Sequence, residues 1–123
     1  MDAIKLTYTI LVSAAPLSKP GNQSALNFCQ ALIAKKHAIN SVFFYQEGVL
    51  TANKFIDFTS NEAHPSKAWQ QLARDYNINL AVCIGASARR GIVTAIRANE
   101  FKAVGLGHLM EAMRTSDRII QFH

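Results

Sequence analysis

The spacing of hydrophobic positions changes several times along the chain, and each change marks an element. Leu6, Tyr8, Ile10 and Val12 alternate with Lys5, Thr7 and Thr9, the period of two that predicts a first strand over residues 5–13. A loop over 14–23 follows, punctuated by Pro16, Pro20 and Gly21. Ala25, Phe28, Cys29, Leu32 and Ile33 then recur at helical spacing. Ser24 or Asn22 is the expected cap of that helix, and Lys35, Lys36 and His37 suit its C-terminus. Residues 39–45 are a short β-branched and aromatic run, as in a parallel strand buried on both faces, with Gly48 closing it. The stretch 49–64 holds no period and reads as a helical turn plus loop. Pro65 opens a second helix, with Ala68, Trp69, Leu72 and Tyr76 at core spacing. A third strand over 80–84 runs into Gly85 and a small-residue turn over 86–91. A fourth strand at 101–104, a helix at 107–114 and a last strand at 118–122 complete the series. Strand and helix alternate throughout, which predicts an α/β fold: one three-layer α/β/α sandwich around a mostly parallel sheet of about five strands. No linker marks a second domain, so residues 1–123 form one.

Composition narrows the class. The chain has 123 residues, is 50% hydrophobic and 17% charged, and is long enough to hold a core without a disulfide or metal staple. Its two cysteines, Cys29 and Cys83, do not form a framework. Its apolar runs fall far short of the ~20 residues of a membrane span. The apolar stretch 6–15 imitates a secretory signal, but Thr7, Tyr8 and Thr9 within it, Asp2 before it and its strand-like alternation favour a cytoplasmic chain. A net charge of +5, from 13 Lys and Arg against 8 Asp and Glu, is spread along the sequence. Lys35–Lys36 and Arg89–Arg90 are the only adjacent basic pairs, which argues against a dedicated nucleic-acid surface. Beyond Cys83 six basic residues face three acidic ones, so the surroundings of that cysteine are mildly electropositive.

Sites in parallel sheets collect outside the carboxyl ends of the strands. Three segments qualify: the Pro/Gly loop after the first strand, Glu47-Gly48-Val49 after the second, and Cys83-Ile84-Gly85 after the third. Only the third carries a nucleophile. There the amides of the following turn, with Arg89 and Arg90 beyond it, favour a thiolate on Cys83. A competing reading makes Cys83 a small buried residue finishing a strand. Cys29, inside a helix stripe, reads as core. Cys83-x5-Arg89 also has the spacing of a cysteine-dependent phosphatase loop, without the hydroxyl residue after the arginine and without an assignable acid. The histidines His37, His64, His108 and His123 are dispersed, so no zinc site or Cys/His dyad is indicated. Gly105-Leu106-Gly107 lacks the third glycine of a dinucleotide fingerprint and reads as a tight strand-to-helix turn. Trp69, Phe43 and Phe44 fall on core patterns.

Several strings in order carry a family resemblance. They are Ala31-Leu32-Ile33-Ala34, Ser41-Val42-Phe43-Phe44-Tyr45, Glu47-Gly48-Val49 with Ala52-Asn53, Ala68-Trp69-Gln70-Gln71-Leu72, Cys83, Arg89-Arg90-Gly91, Gly105-Leu106-Gly107 and Asp117-Arg118-Ile119-Ile120-Gln121-Phe122. On these the chain resembles the DsrE family of sulfur-carrier proteins, and within it the TusD-like branch. The resemblance implies a sulfurtransferase in which Cys83 accepts sulfane sulfur as a persulfide, and the residues themselves offer Gly85, Arg89 and Arg90 as the surroundings of its thiolate. It implies no metal and no cofactor. As partners it implies TusB-like and TusC-like subunits in a heterohexamer, a TusA-like sulfur donor and a TusE-like acceptor serving tRNA 2-thiouridine synthesis, with no direct nucleic-acid contact by this chain. More distant relatives form homo-oligomers or serve other sulfur metabolism, and a non-catalytic assembly protein is the contrasting reading. The segment between Gly91 and Gly105 is shorter here than in the nearest members of that branch, which bears on the partner set more than on the chemistry.

Overall fold

Five parallel strands, in the order β4-β3-β2-β1-β5, form the central sheet of the computed structural model, which describes residues 4–56 and 65–123. Along the chain they are β1 (Thr7–Val12), β2 (Ala38–Phe44), β3 (Leu80–Cys83), β4 (Phe101–Val104) and β5 (Arg118–Phe122). Helix α1 (Pro20–Ala34) joins β1 to β2. A 3-10 helix (Gln46–Ala52) and α2 (Pro65–Tyr76) lie between β2 and β3. The short α3 (Ile84–Arg89) follows β3, and α4 (Leu106–Arg114) crosses from β4 to β5. The first three crossovers step one way across the sheet and the last returns past them. Right-handed connections therefore leave α1 and α2 on one face and α4 on the other.

The two faces are held differently. On the α1/α2 face Ile10, Val12, Val42 and Phe44 are fully buried, and Phe44 meets Trp69 and Phe101 edge-on at ring distances of 5.1 and 5.3 Å. Cys29 is fully buried in α1, as its place in the stripe predicts. The α4 face is anchored mainly by polar bonds, since Ala112 is the only buried residue of that helix. Thr9 Oγ1 and Asn40 Nδ2 both donate to the Ala112 carbonyl at 3.1 Å, and the Thr9 and Ser116 hydroxyls share a hydrogen bond. α4 is thus fastened at its C-terminal end, while its N-terminal end reaches the carboxyl edge of the sheet.

Several sequence expectations need correction. α1 begins at Pro20, before either predicted cap, Asn22 or Ser24, because proline suits a first helical turn and Lys19 before it is extended. Ser24 is an exposed helical residue. Asn22 is helical and buried, and is not a cap. Its Nδ2 donates to the Ala14 carbonyl (3.1 Å) and Thr51 Oγ1 (2.8 Å), and its Oδ1 accepts from Trp69 Nε1 (3.1 Å), joining α1, the 3-10 helix and α2. Tyr76 is 57% exposed at the lower rim beside Ile33 and Ile78, and Ala73 completes the core stripe of α2 instead. β3 ends at Cys83, and residues 84–89, read as strand end and turn, form a helix. Gly48 does not simply end β2. A Cβ on it would lie 2.0 Å from the Val12 carbonyl oxygen, so only glycine lets the 3-10 helix close against β1. His64 and the second half of the 49–64 stretch lie outside the described residues.

The Asn22 bonds give the first prediction. Asn22→Ala strands a buried indole N–H and a buried hydroxyl, and urea unfolding followed by Trp69 fluorescence should show about 3 kcal/mol lost. A change below ~0.5 kcal/mol, the range of ordinary surface substitutions, would contradict the role given to this network.

Candidate active site around Cys83

Cys83 is placed by the strand that ends on it. All four residues of β3 are buried, with Val82 paired to Phe44 on one side and to Ala103 on the other, and Cys83 paired to Val104. A strand pinned on both edges delivers its last side chain to a fixed point at the carboxyl edge of the sheet. There Cys83, 9% exposed, lines an open cavity of about 470 Å³. Tyr45 and Gln46 from the end of β2, Gly85, Ala86, Arg89 and Arg90 from α3, and Gly105 and Leu106 from the start of α4 complete the wall together with Ile84. Cys83 is therefore neither freely exposed nor sealed in the core.

The leading amides of α3 have no acceptor within so short a helix, and Cys83, with extended backbone, directly precedes them. The two arginines that the sequence places together separate in function. Arg90 donates from Nε (2.9 Å) and Nη2 (2.7 Å) to Glu47 Oε1, and from Nη1 to the Ala86 carbonyl (3.1 Å). Its charge is met by a carboxylate, and the pair braces α3 against the 3-10 helix. Arg89 is exposed and makes no hydrogen bond or ion pair among the described residues, so it is the uncompensated cation at the cavity. Gly85 lies close to that guanidinium. A Cβ there would meet Arg89 Nη1 at 3.8 Å, ordinary contact, so glycine is not sterically required.

The Cys-x5-Arg spacing does not build a phosphatase cradle. Residues 84–89 are helical, so their amides run along one axis and do not converge on a bound oxyanion. Among the described residues no three His, Cys, Asp or Glu side chains are grouped to hold a metal ion. His37 accepts from the Leu6 N–H through Nδ1 (3.0 Å), His108 pairs with Asn79 (3.3 Å), and His123 lies beside Ser13. Gly105 is the residue before the first turn of α4, the tight strand-to-helix turn predicted for it. Sequence reasoning did not single out Gln46 or Leu106. Both follow the carboxyl end of a strand, and that position is the signal that could have found them.

The two cysteines differ sharply. Burial pushes the Cys29 thiol from its ordinary 9.0 up to about 12, so it stays protonated and unreactive at neutral pH. Among the described residues no helix is long and apolar enough to cross a membrane.

Comparison with known proteins places the geometry in context. A sequence profile of the DsrE/DsrF-like family matches residues 7–122. The chain is 42% identical over 130 residues to the sulfurtransferase TusD of Proteus mirabilis, covering 97% of this chain and 100% of that protein. It is 39% identical over 128 residues to a sulfurtransferase TusD homolog of Vibrio vulnificus, covering 95% and 98%. These alignments are longer than the 123 residues of the chain, so the relatives carry positions that it lacks. Among solved structures, the ychN protein of E. coli superposes with a TM-score of 0.84 over 97% of this chain and 100% of that one, at 15% identity. A protein of unknown function from Methanobacterium thermoautotrophicum superposes with a TM-score of 0.71 at 12% identity, covering 94% and 99%. At such identities these two speak for the fold alone.

Alkylation should separate the thiols. Iodoacetamide at pH 8 should modify the native chain once, at Cys83, with Cys29 reacting only after denaturation; prior modification of Cys29 in the native protein would contradict the site. The sign of the Cys29 shift adds a stability prediction. The folded chain keeps a proton that the unfolded chain releases above pH 9.0, so stability is intact below that pH and falls as pH rises toward about 12. Denaturant titrations across that range should show a shallower fall in Cys29→Ala, and parallel curves would contradict the assignment.

Proposed function

Since the chain belongs to the DsrE/DsrF-like family, we propose that it is a sulfurtransferase subunit that carries sulfane sulfur as a persulfide on Cys83. The observation that carries this reading is a nucleophile at the end of a strand paired on both edges, at the wall of an open cavity with an arginine that has no partner among the described residues. The likeness to TusD sulfurtransferases over nearly the whole chain supports it.

The chemistry is two thiol exchanges of the same kind. The Cys83 thiolate attacks the terminal sulfur of a donor persulfide; a new S–S bond forms at Cys83, the donor's S–S bond breaks, and the donor leaves as a thiolate. The acceptor thiolate then attacks the same terminal sulfur, and Cys83 departs as the thiolate that began the cycle. The sulfur moves at constant oxidation state, so no oxidant, metal or organic cofactor enters the balance. Arg89 supplies positive potential to the incoming persulfide anion. Arg90 holds the wall through Glu47.

The wall suits protein donors and acceptors. Ile84 and Leu106, each 56% exposed, line the cavity, and Met110, 69% exposed, follows Leu106 by one turn of α4. An apolar rim with a cation in it fits a partner's cysteine-bearing segment better than a free small thiol. We assign the donor as TusA-like, the acceptor as TusE-like and the neighbouring subunits as TusB-like and TusC-like, in a cytoplasmic relay ending in tRNA 2-thiouridine. The contrasting reading, a non-catalytic assembly protein, needs Cys83 sealed from solvent, and the cavity speaks against it.

A radiolabelled-sulfur relay tests the proposal. With a desulfurase, labelled cysteine and a TusA-like donor, wild type and Cys29→Ser should take up label and pass it to a TusE-like acceptor, and Cys83→Ser should do neither. Uptake by Cys83→Ser equal to wild type would overturn the assignment. Arg89→Ala should load roughly three- to tenfold more slowly and lose most of the salt dependence of loading, and Arg90→Ala should affect stability more than salt dependence. Identical salt dependence in Arg89→Ala and wild type would remove Arg89 from the site.

A further inference from the structure

The turn that brings β2 to the Cys83 cavity contains a residue whose backbone is uncommon for its type. Gln46 has φ +53°, in the left-handed region that a side chain disfavours. Its neighbours hold it there. The Tyr45 N–H donates to the Val12 carbonyl (3.0 Å) and the Gly48 N–H to the Tyr45 carbonyl (3.0 Å). The missing Cβ of Gly48 lets the turn close on Val12, and Glu47 is bonded to Arg90. A glycine at 46 would satisfy the same turn without strain, yet the chain places a carboxamide there. Gln46 lines the cavity with Cys83, is exposed, and makes no hydrogen bond among the described residues. Two other side chains share this backbone, Lys36 after α1 and Asn77 after α2, at helix ends away from the cavity; of the three, Gln46 alone lines the cavity with Cys83.

We propose that Gln46 is a substrate-contacting residue for sulfur transfer: its side-chain N–H donates a hydrogen bond to the terminal sulfur of the persulfide on Cys83 and orients it toward the acceptor. The inference rests on Cys83 as the sulfur carrier. It adds a neutral donor to the cavity that also holds the cation Arg89, each contributed by a different crossover. A hydrogen bond to an anionic sulfur favours that ionised form, so the residue acts on the pH dependence of the loaded protein as well as on its rate.

Four proteins test this: wild type, Gln46→Glu, Gln46→Ala and Gln46→Gly. Each is loaded with inorganic polysulfide, the persulfide is quantified by intact mass, and two readouts follow: the rate of sulfur release to glutathione, and the pH profile of persulfide alkylation by iodoacetamide. Gln46→Glu is close to isosteric but lacks the donor, Gln46→Ala keeps the disfavoured backbone without the amide, and Gln46→Gly relieves the backbone and also lacks the amide. All three should release sulfur about tenfold more slowly, with the alkylation profile displaced to higher pH, and Gln46→Gly should have the highest urea midpoint of the four. Wild-type rate and profile in Gln46→Glu and Gln46→Ala, with wild type loading normally, would overturn the role of Gln46 and leave Cys83 as carrier. A loss confined to Gln46→Gly would also overturn it, because the backbone and not the amide would then matter. Failure of wild type to load at all would overturn Cys83 as carrier, and this inference with it.

Discussion

The pairing of β3 between β2 and β4 is the constraint on which the site depends. Leu80, Ala81 and Val82 are paired on both edges and Cys83 to β4, which leaves the strand no freedom to slide, and a shift of one residue would send Cys83 to the opposite face of the sheet. The crossovers gather the rest of the site at that edge. The 3-10 helix closes on β1 through Gly48, α3 begins directly on Cys83, and α4, tied down at its far end by Thr9 and Asn40, brings Gly105 and Leu106 to the cavity. The end of a paired strand thus holds the thiol at one fixed point of the cavity wall.

Local pattern made part of this legible in the sequence. The alternation at Leu6 to Val12, the apolar run of β2 and the spacing of Trp69 and Leu72 each report burial within one element, and those elements stand where their periods place them. Cys83 was legible for a related reason: the end of a buried strand before a small-residue turn is defined by neighbours in sequence. What the sequence hides is pairing across distance. Arg89 and Arg90 are adjacent and chemically identical, and Glu47, 43 residues before Arg90, distinguishes the bound one from its neighbour, which has no partner among the described residues. Asn22 looked like a helix cap because caps and buried amides use the same residue type, and its partners Thr51 and Trp69 lie in other elements. The left-handed backbone of Gln46 belongs to the same class, since it is imposed by contacts of Tyr45, Glu47 and Gly48 with the rest of the fold.

The site works by division of labour among a few groups. Burial keeps Cys29 protonated, while Cys83 lines the open cavity, so the two free thiols differ in access. One arginine braces the wall and one remains available to an anion. The exposed Ile84 and Leu106 add an apolar rim around this small polar site. The relatives carry positions that this chain lacks. If these fall between Gly91 and Gly105, as the sequence suggests, the change lies in the connection from α3 to β4, outside the strand pairing that fixes Cys83.

The most direct test of the central claim is to locate the sulfur in the unmutated protein. Wild-type chain loaded through a desulfurase and a TusA-like donor, trapped with an alkylating agent and digested without reductant, is mapped by tandem mass spectrometry. One additional sulfur atom on the peptide containing Cys83, removed by thiol reductant and absent from the peptide containing Cys29, is the predicted result. Sulfur on the Cys29 peptide, or on neither peptide while the donor is discharged, would contradict the account.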